Sequence, residues 1–450
     1  MNKSKQQPLP FTAQVERLSH EGRGIAVVAG KTTFIDNALP GETVQAMYTK
    51  RHARFDEAQL IELIQPSADR VEPPCAHTEI CGGCSLQHMQ PKAQIAFKQK
   101  VLEEQLRHFS QIPGGLQPKR GYLPPLLGPT LGYRRKARLA VKWVEKKSAL
   151  LIGFREKQGR YVAELTQCEV LDVRVGHLIA PLKELLTSLQ ARTQIPQIEV
   201  AIGDEQVALV FRNLIALSEA DQQKLIVFAQ QRGFIFYLQP AGPESVHLLW
   251  PNNSAVSLSY AMPAWNIDLQ FRPVDFIQVN AEMNQRVVAL AVELLALQPE
   301  DRVLDLFCGL GNFTLPMAKI AQHVVGVEGD AALIEQAKLN AELNHLAHVD
   351  FHVADLFKSP EGLAWSLPKK IGEGFNKVLL DPPRLGAAEV MNWLPQLKAE
   401  RIVYVSCNPA TLARDLGVLC AQGYQLETAG VMDMFPHTTH VESIALLIKK

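Results

Sequence analysis

The fold of this chain is decided by the segment RVLDLFCGLGNFT, residues 302–314. Its apolar first half predicts a buried strand over residues 302–307. The two glycines that follow, at positions 309 and 311, permit a tight turn and let backbone N–H groups approach a ligand. A helix is predicted next, over residues 313–321. A strand, a glycine-rich turn and a helix in this order predict a cofactor-binding unit.

Around this segment, helices and strands alternate from residue 281 to the C-terminus, which predicts a parallel sheet with helices on both faces. Glu328 ends the next strand, where a carboxylate can accept hydrogen bonds from both ribose hydroxyls. Asp355 ends the strand after that and is suited to the adenine end of a ligand. A dinucleotide fingerprint requires a third glycine where this chain has Thr314. The pattern therefore favours S-adenosylmethionine over NAD.

Length and composition limit the class of protein. The 450 residues predict about three domains, and 47% apolar residues suffice for ordinary cores. No stretch approaches the roughly 18 consecutive apolar residues of a membrane span, and the polar N-terminus lacks the centre of a secretory signal. Seven cysteines, an odd number, argue against a disulfide scaffold and predict a reducing compartment, the cytoplasm. We expect a monomer that does not associate with membranes.

The expected fold class is multidomain α/β, in three parts. Residues 8–66 alternate in short β-like runs with glycine-rich turns and predict an OB-like β-barrel. Residues 67–270 predict a central mixed α+β domain, with an amphipathic helix over 92–109 that we expect to pack on the C-terminal domain. Residues 271–450 hold the alternating pattern and predict a Rossmann-like domain.

Cys407 is the candidate nucleophile. It follows an apolar strand and precedes Asn408-Pro409 and a helical run. Proline suits the first turn of a helix, so the thiol lies near a helix N-terminus, where we expect its pKa to be lowered. A thiolate that adds to C6 of uracil makes C5 nucleophilic enough to accept a methyl group, after which a base must remove the C5 proton.

Glu442, immediately before the last predicted strand, is the best candidate for that base, and His437 and His440 are alternatives. Two other cysteines, Cys308 in the cofactor turn and Cys420 in an apolar helical run, are interpreted as structural.

Two other classes of function compete. In amino-directed nucleic-acid methyltransferases, an (Asp/Asn)-Pro-Pro-aromatic loop holds the target amino group and stacks the base. Here the loop is Asp381-Pro382-Pro383-Arg384, and the arginine removes the stacking ring. A non-catalytic RNA-binding or assembly protein would not need Cys407 and Glu442 after successive strands. Both alternatives are disfavoured.

Four segments together resemble the signatures of the RNA 5-methyluridine methyltransferases: residues 305–316, the loop 381–384, Ser406-Cys407-Asn408-Pro409 and His440-Val441-Glu442-Ser443. The segment 276–280, FIQVN, matches the start of that family's catalytic domain. The resemblance implies that Cys407 is the nucleophile and Glu442 the proton acceptor. It also implies a set of residues that hold S-adenosylmethionine, namely Gln278, Phe307, Asn312, Glu328, Asp355 and Asp381.

Three cysteines near the start of the central domain, Cys75, Cys81 and Cys84, have C-x5-C-x2-C spacing, and Cys168 is a plausible fourth ligand. Four thiolates suit zinc or an iron–sulfur cluster, and the spacing alone does not separate them. Resemblance to the ribosomal-RNA members of the family implies a [4Fe–4S] cluster, with zinc as the runner-up.

Basic segments predict how RNA is held. Residues 119–142 contain seven Lys/Arg and no Asp/Glu, and the run YRRKAR at 133–138 interleaves an aromatic ring, as phosphate contact plus base stacking would require. The N-terminal segment resembles a TRAM domain, an OB-like RNA-binding barrel, with a second basic run at 50–54. TRAM and cysteines together resemble the family members specific for 23S rRNA. Methylation of another rRNA or tRNA uridine, or of two sites, stays open.

Overall fold

The N-terminal barrel and the helix after it

The computed structural model describes residues 10–157, 159–252, 257–358 and 374–450, so residues 8 and 9 of the predicted barrel lie outside it. Six strands form the first sheet, in the order β1-β5-β6-β4-β3-β2. They are β1 (Phe11–Gln14), β2 (Arg17–Leu18), β3 (Gly24–Val28), β4 (Lys31–Asp36), β5 (Thr43–Arg51) and β6 (Phe55–Gln65). The pair β4–β6 is parallel and the other pairs are antiparallel. Small side chains such as Ala26 and Ala38 fill the core of this compact barrel.

Helix α1 (Pro91–Phe109) starts with a proline at its first turn. Its buried face carries Ile95, Val101, Leu102 and Leu106, which join a cluster on the C-terminal sheet. A Cβ added at Gly417 would lie 1.8 Å from the carbonyl oxygen of Ser110, so helix and C-terminal domain touch directly. In this structure the helix packs against the C-terminal sheet and the helix that contains Gly417.

The central and C-terminal sheets

The central part is mixed α+β, as predicted. Its sheet has the order β12-β11-β10-β9-β7-β8. The strands are β7 (Lys136–Val144), β8 (Ala149–Gly153), β9 (Gln197–Ile202), β10 (Val207–Arg212), β11 (Ile235–Gln239) and β12 (His247–Trp250); the helices are α2 (Val173–Gly176), α3 (Ile179–Thr187) and α4 (Glu219–Arg232). A hairpin, β13 (Leu258–Met262) with β14 (Ile267–Phe271), packs on the C-terminal domain and was not predicted as a unit.

The C-terminal sheet has seven strands, in the order β17-β16-β15-β18-β19-β21-β20. The strands are β15 (Arg302–Leu306), β16 (His323–Glu328), β17 (Val349–Val353), β18 (Lys377–Leu380), β19 (Arg401–Ser406), β20 (Tyr424–Met432) and β21 (Glu442–Lys449). The helices are α5 (Ala281–Leu295), α6 (Thr314–Ala318), α7 (Ala331–Leu343), α8 (Ala388–Trp393) and α9 (Pro409–Ala421).

The prediction of a parallel sheet is correct for β15 to β19 and wrong for the last two strands. Strand β21 inserts antiparallel between β19 and β20, and β20 was not predicted. The chain proceeds from β15 outward through β16 and β17, and then crosses to β18 on the other side. In open α/β sheets, ligands bind at such a crossover point, at the carboxyl ends of the strands.

Candidate active site

The cofactor loop and its acidic groups

The turn after β15 has the backbone that its glycines suggest. Gly309 and Gly311 have φ of +54° and +95°, and Phe307 also has a positive φ of +64°. The Glu328 carboxylate accepts hydrogen bonds from the N–H groups of Gly309, at 3.2 Å, and Gly329, at 2.7 Å. Glu328 therefore holds the turn in place as well as facing the predicted ribose position.

Three carboxyl groups meet at this crossover. Asp305 is fully buried and accepts a 2.5 Å hydrogen bond from the Thr314 hydroxyl, while its Oδ1 has no partner among the described residues. Burial raises the pKa of Asp305 to about 8, and Asp381 and Glu328 add to the rise. Burial, with help from Glu328, raises the pKa of Asp381 to about 7. Because burial and mutual repulsion oppose the ionisation of these carboxyl groups, a cationic ligand such as a sulfonium would stabilise their charged forms, so the residues present suit S-adenosylmethionine.

The remaining predicted cofactor residues lie around the same crevice. The Gln278 amide donates to Asp381 Oδ2 at 3.5 Å. The ring of Phe307 lies 6.1 Å from that of Phe357, an apolar pair suited to a flat base. Asp355 is exposed, and the side chain of Lys358, 2.9 Å away, lowers its pKa.

Asn312 lies next to the glycine turn, but protein partners occupy most of its amide. Its Oδ1 accepts from the Tyr260 hydroxyl at 2.9 Å and from Asn284 Nδ2 at 2.8 Å, and its Nδ2 donates to Asn284 Oδ1 at 2.9 Å. One N–H of the amide is left for a ligand.

The thiol and the carboxyl group beside it

Sheet register brings Cys407 and Glu442 together. Strands β19 and β21 are antiparallel, and Ser406 opposite Ser443 is their last pair. The neighbouring residues on the two strands, Cys407 and Glu442, therefore lie side by side at the carboxyl end of β19. Asn408 caps α9 by accepting from the N–H of Ala410 at 3.1 Å, which fixes the turn that presents the thiol. Both side chains are partly buried.

The expected lowering of the pKa of Cys407 is wrong for the free protein. Burial raises it to about 11, and the carboxylates of Glu442 and Asp381 raise it further, against the opposing effect of Arg384. Burial, together with the two acidic groups that face the thiol, outweighs the effect of the helix N-terminus. Burial and Asp381 raise the pKa of Glu442 to about 8, while Lys98 and Arg384 lower it. A carboxylate with this affinity for protons is a capable base near neutral pH.

Neither histidine alternative is placed as well as Glu442. His437 is buried and tied to helix α1, since its N–H donates to Gln94 Oε1 at 2.8 Å and its Nδ1 lies 3.1 Å from Gln94 Nε2. His440 Nδ1 lies 3.1 Å from Nη2 of Arg384. Burial lowers the pKa of both imidazoles.

The cysteine cavity

All four predicted metal ligands line one cavity of about 220 Å³: Cys75, Cys81, Cys84 and Cys168. Burial raises the pKa of Cys84 to about 12 and also raises the pKa of Cys81 and Cys168, so bare thiols stay protonated here. The N–H of Gly83 lies 3.4 Å from Cys81 Sγ, a contact that would stabilise a thiolate.

In the described part of the chain, the four thiols do not form an assembled metal site. Tetrahedral zinc, with Zn–S near 2.3 Å, needs sulfurs about 3.8 Å apart. Among the described residues, no three His, Cys, Asp or Glu side chains are grouped closely enough for one ion. The four cysteines share a cavity, and four thiolates suit either zinc or an iron–sulfur cluster.

The basic run and residues missed in the sequence

The predicted role of the run at 133–138 in stacking a base is wrong. Tyr133 is buried, and its hydroxyl donates to the Pro436 carbonyl at 3.1 Å. Arg135 is also buried and donates to the Gln278 carbonyl at 2.9 Å, and Lys136 donates to the Pro273 carbonyl. Arg138 is exposed but bonds Glu199 at 2.7 Å. This run joins the central and C-terminal parts and offers little free charge to RNA.

The strap, residues 433–441 between β20 and β21, was not predicted. Its Asp433 forms a 2.7 Å ion pair with Lys98 of helix α1, and both side chains are almost fully buried. A lysine on the apolar face of an amphipathic helix is the signal that could have revealed the pair, because buried lysines need a partner.

Family

The sheet order, the acids at its strand ends and the glycine turn define a Rossmann-like methyltransferase fold, preceded by a barrel. The sequence matches the tRNA (Uracil-5-)-methyltransferase family over residues 128–450 and the TRAM domain over residues 11–61. The chain belongs to this family of RNA uracil-5-methyltransferases, as its motifs predicted, and it carries a TRAM domain.

Curated relatives match nearly the full length. The chain is 53% identical to the 23S rRNA (uracil(1939)-C(5))-methyltransferase RlmD of Alcanivorax borkumensis, over 98% of this chain and 97% of that one. It is 51% identical to the protein of the same name from Nitrosococcus oceani, with the same coverage. The resemblance to the 23S rRNA type is thus confirmed.

A solved structure shares the fold. The tRNA (uracil-54, C5)-methyltransferase of Pyrococcus abyssi, solved with S-adenosyl-L-homocysteine, covers 97% of this chain with a TM-score of 0.73 and 23% identity. In the part of the chain that the structure describes, no helix has the length and apolar character needed to cross a bilayer.

Proposed function

We propose that the protein transfers a methyl group from S-adenosylmethionine to C5 of one uridine in 23S rRNA, through a covalent bond between Cys407 and C6 of the base. The observation that carries the proposal is the strand register that brings Cys407 beside Glu442. Asp305 and Asp381 lie at the same carboxyl end of the sheet. Both the RNA class and the uridine follow from the relatives named for uracil 1939. Another rRNA or tRNA uridine, or two targets, is the alternative.

The reaction balances with these two residues. The Cys407 thiolate adds to C6, and the electron pair of the C5–C6 double bond moves to form an enolate. C5 then takes the methyl group of S-adenosylmethionine; the bond between that methyl group and sulfur breaks, its electron pair stays on sulfur, and S-adenosylhomocysteine is the leaving group. Glu442 then accepts the C5 proton, the double bond re-forms, and the thiolate leaves. Among the remaining residues, we assign Gln278, Phe307, Asn312, Glu328, Asp355 and Asp381 to the cofactor site.

Four cysteines hold the second cofactor in this proposal. We assign Cys75, Cys81, Cys84 and Cys168 to a [4Fe–4S] cluster, supported by the shared cavity and by the resemblance to the ribosomal-RNA members of the family. We further propose the three-part division 8–66, 67–270 and 271–450, with the barrel binding RNA through its basic run at 50–54. The cluster supplies iron–thiolate bonds that would tie residues 75–84 to residue 168; the methyl transfer itself does not require it.

Trapping with 5-fluorouridine RNA tests the mechanism, because a C5 fluorine cannot be removed as a proton. With S-adenosylmethionine, the wild-type protein should give a methylated covalent complex that maps to Cys407, and Cys407→Ala should give none. Cys420→Ala, which removes a cysteine remote from the site, is the matched control. Absence of a complex with wild type, or an undiminished complex with Cys407→Ala, would overturn the mechanism.

Two further measurements address the base and the target. Glu442→Gln on ordinary uridine RNA should accumulate the methylated adduct, whereas loss of RNA binding alone would contradict its role as base.

Mapping of 5-methyluridine in a deletion strain should show loss at one 23S rRNA position. Loss from tRNA with rRNA unchanged would refute the assigned target.

A further inference from the structure

Helix α1 lies outside the catalytic sequence motifs, yet it buries a charged side chain within electrostatic reach of the Glu442 carboxyl group. Lys98 has no exposed side-chain surface. Its ammonium group donates to Asp433 Oδ1 at 2.7 Å and to the Phe435 carbonyl at 2.9 Å. An ammonium group has three donors, and these two acceptors, both on the strap, account for two of them.

Gln94, on the same face of helix α1, fixes the strap at His437. Gln94 is buried, accepts from the N–H of His437 at 2.8 Å, and donates to the carbonyl groups of Leu86 and Met89 at 3.0 and 2.7 Å. The His437 carbonyl in turn accepts from the N–H groups of Ser85 and Leu86, both at 2.9 Å. One turn of α1 thus holds the strap at three residues, which lie nine, seven and five residues before Glu442.

We propose that Lys98 is a positioning residue for Glu442, which fixes the strap before it and keeps a buried positive charge within electrostatic reach of its carboxyl group. This inference rests on the proposed function, in which Glu442 is the base. A buried lysine is costly to desolvate, and a leucine or methionine would pack on this helix face without that cost. A charge retained there is therefore suited to act on its surroundings.

Electrostatic effects agree with the geometry. Asp381 and burial raise the pKa of Glu442, and Lys98 with Arg384 lowers it. The other titratable groups near the carboxyl group are the Cys407 thiol and the imidazoles of the strap. Burial raises the pKa of the thiol and lowers the pKa of both imidazoles, so each group favours its neutral form. Lys98 stabilises the carboxylate, the form that accepts a proton. Its removal should therefore raise the pKa of Glu442, and at a pH below that pKa less of the base is ready to react.

The test uses a charge-balanced double variant, Lys98→Met with Asp433→Asn, so that no buried charge is left unpaired. Its kcat on uridine RNA should increase with pH, as in wild type, but with an apparent pKa that is higher by on the order of one unit, a typical perturbation in folded proteins. At pH 7 this gives about a tenfold loss of kcat. Lys100→Met, on the exposed face of the same helix, is the matched control and should behave as wild type.

Covalent trapping separates this inference from the mechanism on which it rests. The double variant should form the 5-fluorouridine complex within about twofold of the wild-type rate, because that complex forms without proton removal. If the double variant has the same kcat as wild type and the same dependence of kcat on pH, the role of Lys98 is overturned. Equal loss of trapping and turnover would also overturn it, since Lys98 would then serve an earlier step or the fold. Failure of wild type to form the complex would instead refute the proposed function.

Discussion

Glu442 raises the pKa of Cys407 because the two side chains leave the β19–β21 ladder at adjacent positions. The thiol and the carboxyl group are therefore coupled in the free protein before any RNA is present. Asp381 faces the thiol as well and acts in the same direction.

Glu442→Gln should make Cys407 more reactive toward iodoacetamide at pH 9. At that pH the wild-type carboxyl group is ionised, since its pKa is about 8, and it suppresses the neighbouring thiolate. Loss of the charge lowers the pKa of the thiol and increases the thiolate fraction. Alkylation followed by mass spectrometry gives the rate at each cysteine, with Cys420 as internal reference. A slower or equal rate at Cys407 in the variant would contradict the coupling.

Activity should increase with pH through the range set by the base. Glu442, with a pKa raised to about 8, must be deprotonated to accept a proton, and Cys407, raised to about 11, must be deprotonated to attack. Both requirements favour the basic side, so kcat/KM measured on an RNA fragment should rise from pH 6 to pH 9. A decline over this range, in a protein that stays folded, is the opposite result.

Cys84→Ala should deplete the protein of iron after anaerobic purification. Cys84 lines the same cavity as the other three predicted ligands, so three thiols remain and the cluster is weakened. Cys420→Ala, on α9 and away from the cavity, should keep its iron. Zinc in wild type without iron would refute the cluster, as would equal iron in the two variants.

Lys98→Met alone should destabilise the protein by about 3–5 kcal/mol, the usual cost of leaving one member of a buried ion pair unpaired. Asp433 becomes the uncompensated charge, because its partner lies 2.7 Å away and both are nearly inaccessible to solvent. Urea unfolding compares this variant with Lys98→Met/Asp433→Asn, which should recover most of the loss. No difference between the two would indicate that the pair contributes little.

Replacement of Lys50, Arg51 and Arg54 by alanine should weaken binding to an rRNA fragment and flatten its salt dependence. All three are exposed on the barrel, and each phosphate contact to a single strand contributes about 0.7 to the slope of log K against log salt. A reduction of about 2 in the slope is expected. Arg138→Ala is the control, because its partner Glu199 already neutralises it; a larger effect for Arg138 than for the triple variant would place the RNA elsewhere.

Strand-end chemistry could be predicted from the sequence because it depends on local pattern. Glu328 and Asp381 follow apolar strands, and the ends of parallel strands meet at one edge wherever the strands pair. The cysteine spacing was equally local, and the four thiols do line one cavity.

Features that depend on distant partners could not be predicted. Tyr133 looked like a base-stacking residue until the carbonyl of Pro436, 303 residues away, proved to be its partner. The pKa of Cys407 was expected to fall because only its own helix was visible in the sequence. Antiparallel insertion of β21 brings the opposing carboxyl group next to it, and no periodicity in the chain encodes that insertion.

The strap has a consequence for the order in which parts of the protein fold. Its contacts come from segments that are far from it in the sequence: Gly22, where an added Cβ would meet Thr439 at 2.6 Å, then Leu86, Lys98 and Tyr133. Contacts over such long separations in sequence form late in folding. The barrel and the cofactor turn can thus form before the strap is in place, and the proposed base is positioned only once these distant segments have met.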